Sequence, residues 1–198
     1  MRIGIEVNGV LRNTLKKIQE VYQKWYIENP LVMMQEEENK HEIFSDVTTL
    51  DLRNHLKFET NEEVFDFLYD EYTMEIFGHA GSSEYTSMQD LNELYMELRE
   101  NHDVWIISDE IAKSKPATLF FLSKFGCLVE NYKFYSEVTI QSMWDTVDVL
   151  ITANPKLLEN HPENKTLIKY KTTYNSHINN QHEVENVKDI KEKILQLC

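Results

Sequence analysis

The chain has 198 residues, 41% of them hydrophobic and 11% aromatic, and its 34 acidic against 20 basic residues give a formal charge of −14. That composition suits one folded domain with a sub-domain inserted, and is too apolar for a disordered chain. The charge excludes the basic footprint of a nucleic-acid binder, and no apolar run nears the ~18 residues needed to cross a bilayer.

In chain order, "RIGIEV" (2–7) is a β-branched strand. It stops at Glu6 and is no secretory signal, so cytoplasmic residence is the expectation. A turn at Gly9 follows, and Thr14 begins a helix with Leu15, Ile18, Val21, Tyr22 and Trp25 on one face and Pro30 at its end. "QEEENKHE" is a charged loop, in front of which Met33 and Met34 could mark a partner surface. "VTTLDLRNHLKF" reads as a short strand and a helical turn. Thr60 and Glu63 fit a capping box for a helix carrying Val64, Phe65, Leu68 and Tyr72 up to Gly78. "GHAGSSEYTS" is a loop with hinge glycines, and Ser87 with Asp90 starts a helix with Leu91, Leu94, Tyr95 and Leu98 on one side.

The second half is more regular. "VWIIS" (104–108) is a buried strand. "SKPATLFFLSKFG" is a helix with Ser114 at its cap, Pro116 in its first turn and Gly126 past its end. "CLVENYKFY" and "VDVLIT" are strands, "NPKLL" turns into a short helix, "KTLIKY" is a last strand, and Val187 to Leu197 form a terminal helix. Cys127 reads as a reduced core residue and Cys198 ends the chain. Strands alternating with helices predict an α/β fold: a doubly wound parallel sheet with a small helical cap inserted after the first strand and helix. The core is residues 1–29 and 81–198 and the cap is 30–80. Ligands in such folds sit at the carboxyl ends of the strands, here near Glu6 and Asn8, Ser108, Ser136, and Thr152 to Asn154.

"IGIEVNGVLRNT", "VWIISDE", "SKPATLFFLSKFG" and "VDVLITANPKLLENHPENKTLIKYKTTYN" resemble, in order and spacing, the motifs of the haloacid dehalogenase-like (HAD) superfamily. The branch they are most similar to is the 5′(3′)-deoxyribonucleotidase-like one, which includes short phage versions. The resemblance implies a Rossmann-like core and a phosphatase in which one aspartate attacks phosphorus and a second, two residues on, transfers protons. A Ser or Thr and a Lys hold the phosphoryl oxygens, and acids after the fourth strand complete a Mg²⁺ site.

At those positions this chain departs from the pattern. Glu6 stands at the nucleophile position and Asn8 at the acid/base position, where an amide cannot exchange a proton near neutral pH. Ser108 matches the second motif. Gln141 and Ser142 stand where the lysine belongs, and Thr152 and Ala153 where the acids belong. Asp145 and Asp148 precede the fourth strand and belong at its far end. Asp109 and Glu110 are candidates for a displaced acid, more readily read as solvated or capping groups. His177 and His182 have no metal-ligand spacing around them, and "NGVLRNT" is no P-loop.

The expectation from these substitutions is a catalytically inactive HAD-fold protein, a structural or protein-binding module of a phage virion or its assembly. Its partners would be other proteins, with no nucleic acid, membrane or cofactor, in a host cytoplasm or a virion. Two alternatives stand beside it. One is a Mg²⁺-dependent phosphatase or 5′-nucleotidase with Glu6 as nucleophile or metal ligand, and the other is a nucleotide or phosphate sensor using Ser108.

Overall fold

The computed structural model describes residues 1–28, 50, 52–54, 56 and 58–197. The "QEEENKHE" loop, Pro30, Met33, Met34 and Cys198 lie outside them.

Six strands, β1 (Arg2–Glu6), β2 (Asp103–Asp109), β3 (Asn131–Tyr135), β4 (Val149–Thr152), β5 (Thr166–Tyr170) and β6 (Glu183–Val184), form one sheet. Their order is β3-β2-β1-β4-β5-β6 and every pairing is parallel. The expected α/β class, with helices covering a parallel sheet, is the one observed. β1 at the centre is a continuous apolar run because both of its faces are covered.

Strand alternation divides the core in two. Ile3, Ile5, Val104, Ile106, Val149, Ile151 and Ile168 pack on one face against α3 (Ser87–Leu98), α4 (Ser114–Lys124) and α7 (Ile190–Leu195). Ile107, Leu150 and Leu167 pack on the other against α5 (Ile140–Trp144) and α6 (Pro155–Glu159). Gly4 lies on this second face, where a Cβ would come within 2.8 Å of both Ile107 and Val147. A third cluster joins α1 (Thr14–Glu28), through Ile18, Val21, Tyr22 and Tyr26, to Phe67, Leu68, Ile76 and Phe77.

The local signals for helix ends act as capping chemistry requires, with two shifts. Thr60 Oγ1 accepts from the Glu63 amide at 3.2 Å, starting α2 (Asn61–Asp66), but the Glu63 carboxylate reaches back to the Glu59 amide rather than to Thr60. The chain then winds through two π-helical turns, Phe67–Glu71 and Met74–Gly78. Gly126 ends α4 with φ +69°. β3 begins at Asn131 rather than Cys127, since Cys127 to Glu130 lead out of that helix end and pairing with β2 starts at Trp105–Asn131. Cys127 is a free thiol packed on the core, pushed up by burial. β6, two residues long, carries no periodic signal. The "GHAGSSEYTS" loop is stitched to the turn after β1, by Asn13 N–H to Gly81 O (3.1 Å) and Ser83 N–H to Leu11 O (2.9 Å). Among the described residues, no helix is long and apolar enough to cross a membrane.

Candidate active site

The carboxyl ends of β1, β2 and β4 open into a cleft of about 1340 Å³. Gly9, at φ +81°, makes the sharp turn out of β1, and a Cβ there would overlap the Tyr174 hydroxyl and lie 2.8 Å from Ala153 Cβ. Only glycine fits so close an approach.

Register decides which side chains meet. Gly4 pairs with Leu150, so two residues on, Glu6 stands beside Thr152. Glu6 pairs with Ile107, so the residue of β2 that shares its face is Asp109. Asp109 in turn pairs with Tyr135 of β3. Glu6, Thr152, Asp109 and Tyr135 therefore emerge on one face, and Ser108 on the other.

Glu6 is buried at the floor of the cleft. Tyr135 donates its hydroxyl to Oε1 at 2.8 Å, and Thr152 donates to Oε2. Thr152 Oγ1 is held in place by accepting from the Asn154 amide at 2.9 Å. Burial pushes the Glu6 carboxyl up to about 7, against the hydrogen bonds from Thr152 and Tyr135 that favour its ionised form, and the charge of Asp109 adds to the rise. Tyr135 is pushed well above the ordinary range, by burial first and then by Glu6, so it stays a donor.

Asn8 lines the same cleft, but its side chain is tied into a polar network. Its Oδ1 accepts from Arg12 Nη2 at 2.6 Å and from the Thr14 hydroxyl at 2.7 Å, and its Nδ2 makes long contacts of 3.4 Å to Asp109 O and Glu110 Oε1. Arg12, fully buried, pairs with Glu110 at 2.5 Å and donates at 2.7 Å to both Phe77 O and the Thr118 hydroxyl. Ser108 and Thr118 donate to the same Glu110 oxygen at 3.1 and 2.8 Å. Burial pulls Arg12 down while Glu110 opposes it. Glu110, a candidate solvated group from the sequence, is in fact the buried anion of this network.

Of the sequence-predicted positions, the structure brings Glu6 and Thr152 together, ties Asn8, at the cleft, and Ser108 into the Arg12–Glu110 network, and buries Ala153. Neither Gln141 nor Ser142 lines the cleft, and Ser142 accepts from Lys133. Asp148 pairs with Arg2 at the other end of β1, as its place before β4 implied, and that pairing pulls it down to about 2.

Sequence reasoning placed Asn154 at a strand end facing the site but missed Tyr135 and Lys156. Lys156, in the first turn of α6, brings a cation into the cleft wall from after β4 rather than before it. Asp109 also lines the cleft, raised to about 6 by burial and by Glu110 and Glu137, with Lys156 pulling the other way.

Magnesium is implied by the resemblance. Among the described residues no three His, Cys, Asp or Glu side chains converge to hold an ion. Both oxygens of Glu6 accept hydroxyl protons, and Asn8 Oδ1 is already shared by Arg12 and Thr14. The residues present do not fit that ion.

Solved structures match this architecture nearly end to end. One, assigned as a haloacid dehalogenase-like hydrolase from Burkholderia xenovorans LB400, is 12% identical with a TM-score of 0.57 and covers 98% of this chain and 96% of its own. The chain has the haloacid dehalogenase-like fold. A second HAD-like match, a dehalogenase solved with an intermediate complex, is 11% identical with a TM-score of 0.53, covering 96% of this chain and 94% of its own. No protein-family profile matches the sequence, and no curated protein does.

These matches correct the expectation of a catalytically inactive structural or phage-assembly module. The proteins that share the HAD-like fold along the whole chain are described as hydrolases or dehalogenases, and nothing points to a virion, scaffold or protein-docking role. The physical reason lies at the floor of the cleft, where Glu6 is not an idle strand-end cap. It is a buried carboxyl held by two hydroxyl donors and set close to neutrality.

Proposed function

We propose that this chain is a phosphomonoester hydrolase of the HAD type, with Glu6 as its nucleophilic carboxylate. The observation that carries this reading is the setting of Glu6, which faces the cleft from the end of β1 with both oxygens oriented by hydroxyl donors. The Ala153 backbone joins the two hydroxyls in favouring the ionised form, and a value of about 7 leaves a large ionised fraction at neutral pH. A carboxyl tuned this far by its surroundings, in a cleft of this size, is a mark of chemistry rather than packing.

On this reading the hydroxyls of Tyr135 and Thr152 orient Glu6, which the longer side chain requires, and Lys156 supplies positive charge for the phosphoryl group. The nucleotidase-like tail makes nucleoside monophosphates the first natural substrates to test. The division into a core (1–29 and 81–198) and a cap (30–80) is part of the same proposal. What supports a cap is that Leu68, Tyr69 and Phe77 line the cleft and that Phe67, Leu68, Ile76 and Phe77 pack in a cluster apart from the two on the sheet, a cluster that also takes in α1 and Ala117 from the core side.

The test is direct. Purified protein is incubated, with and without Mg²⁺, with 4-nitrophenyl phosphate, alkyl phosphates and nucleoside monophosphates. The expected result is turnover that disappears in Glu6→Gln. Absence of turnover across the panel, or turnover that survives Glu6→Gln, overturns the proposal, and saturable nucleotide binding without turnover favours the sensor instead.

A further inference from the structure

The geometry points to Asp109 as the residue that gives the leaving group its proton and takes one from water, the work that Asn8 cannot do. This inference rests on the proposed hydrolase reading. Three observations carry it.

The first is placement. Strand alternation from Ile107 sets Asp109 on the same face of the sheet as Glu6, at the mouth of the same cleft, one strand away. Asn8, two residues beyond Glu6, is committed to Arg12 and Thr14 on its oxygen side and to the backbone of Asp109 and to Glu110 on its nitrogen side.

The second is that the Asp109 carboxylate has no hydrogen-bond donor among the described residues, since the Asn8 amide reaches only its backbone carbonyl. The side chain is half-buried at the cleft wall, so its oxygens are open to a substrate oxygen. Glu110, its sequence neighbour, shows the contrast: one of its oxygens accepts from Arg12, Ser108 and Thr118, the other is buried without a partner, and neither lines the cleft.

The third is the charge around it. The groups acting on Asp109 are Glu6, Glu110 and Glu137, which favour its protonated form, and Lys156, which opposes them. With Asp109 at about 6 and Glu6 at about 7, the reacting form, Glu6 ionised and Asp109 protonated, is a minority of the site and is greatest between those two values.

The chemistry balances as follows. A Glu6 oxygen bonds to phosphorus while the ester P–O bond breaks. The bonding pair leaves on the ester oxygen, which takes the proton of the Asp109 carboxyl. Water then bonds to phosphorus and gives a proton to the Asp109 carboxylate, the Glu6–phosphorus bond breaks, and phosphate leaves with the Glu6 carboxylate restored.

Leaving-group dependence tests it. An aryl phosphate with a nitrophenolate leaving group needs little protonation, whereas an alkoxide does. The expected result is that Asp109→Asn lowers the rate on propyl phosphate by roughly a hundredfold to a thousandfold but lowers the rate on 4-nitrophenyl phosphate less than about tenfold, with an unchanged melting temperature. In the unsubstituted protein, whether or not the variant folds, the rate on propyl phosphate is bell-shaped in pH and the rate on 4-nitrophenyl phosphate is one-sided. Equal losses on both substrates, no loss on either, or the same pH profile for both overturn the role of Asp109. If Glu6→Gln is inert while the unsubstituted protein turns over, that failure belongs to Asp109 alone. An unsubstituted protein inert toward both esters overturns the hydrolase reading and this one together.

Discussion

Tyr135, at the end of β3, donates its hydroxyl proton to Glu6, at the end of β1, over 2.8 Å and across the strand that lies between them. The contact is possible because β2 places Asp109, not a bulky apolar residue, at the position between them. A hydrogen bond to the ionised form of an acid favours ionisation. Tyr135→Phe therefore moves Glu6 above its value of about 7, and the rise of the one-sided 4-nitrophenyl phosphate profile moves to higher pH with it. Carboxyl carbon NMR of Glu6 reads the shift independently of activity. A Glu6 titration that stays in place in Tyr135→Phe would show that the phenol does not tune it.

The same group makes stability depend on pH. Unfolded glutamate ionises near 4.3, while folded Glu6 holds its proton up to about 7. Between those values the folded state binds the extra proton, so stability falls as pH rises through that window and levels off above it. The loss attributable to Glu6 is on the order of 3 kcal/mol. Asp109, raised to about 6, contributes in the same direction over a narrower window. Glu6→Gln removes the larger part of this slope. Urea denaturation at pH 4.5 and pH 8 is expected to show Glu6→Gln losing less stability than the unsubstituted protein, and equal losses in the two would contradict the burial of a titrating Glu6.

Much of the architecture was legible because its signals are local. The β-branched runs of β1, β2, β4 and β5, the Ser114 and Gly126 punctuation of α4, and the Thr60 cap are each fixed by a few neighbouring residues. The site was legible only in part. Glu6 and Thr152 sit where the motif spacing puts them, but motif matching drew attention to Ser108, whereas alternation from the buried Ile107 leads to Asp109. That signal was present in the sequence. Tyr135 and Arg12 could not have been found that way. Tyr135 meets Glu6 only because β2 and β1 are paired in one particular register, and Arg12 draws its partners from Phe77, Glu110 and Thr118, on three separate elements. An arginine in a polar turn reads as exposed until those elements close over it.

Arg12 and Glu110 make a second prediction about stability, and it differs in kind. Both side chains are entirely buried, and the guanidinium also lies over the rings of Phe77 and Phe121 at 5.1 and 5.4 Å. Arg12→Met strands the Glu110 charge and releases Phe77 O and Asn8, so a loss of about 3–5 kcal/mol is expected. Arg12→Met combined with Glu110→Gln recovers a large share of that loss, because the amide needs no counter-charge. Denaturant midpoints for both single variants and the double variant measure the coupling. Strictly additive losses would mean that the pair is not coupled.

Lys156 offers the last test, because its two effects are separable. Its ammonium lies at the cleft wall, largely exposed, with Glu137 at 3.5 Å as a weak partner, so it contributes little to the fold. Its charge holds Asp109 down, against burial and against Glu110 and Glu137. Lys156→Met is therefore expected to raise Asp109 above about 6, moving the rising limb of the propyl phosphate profile, which bends at the lower of the two values, to higher pH. The same change raises KM for phosphate esters by roughly threefold to tenfold, the loss of one partly screened charge contact. Lys156→Arg keeps the charge and restores both. A methionine variant with unchanged KM and an unmoved rising limb would place the phosphate elsewhere in the cleft, because a cation that neither attracts the substrate nor biases Asp109 cannot be facing them.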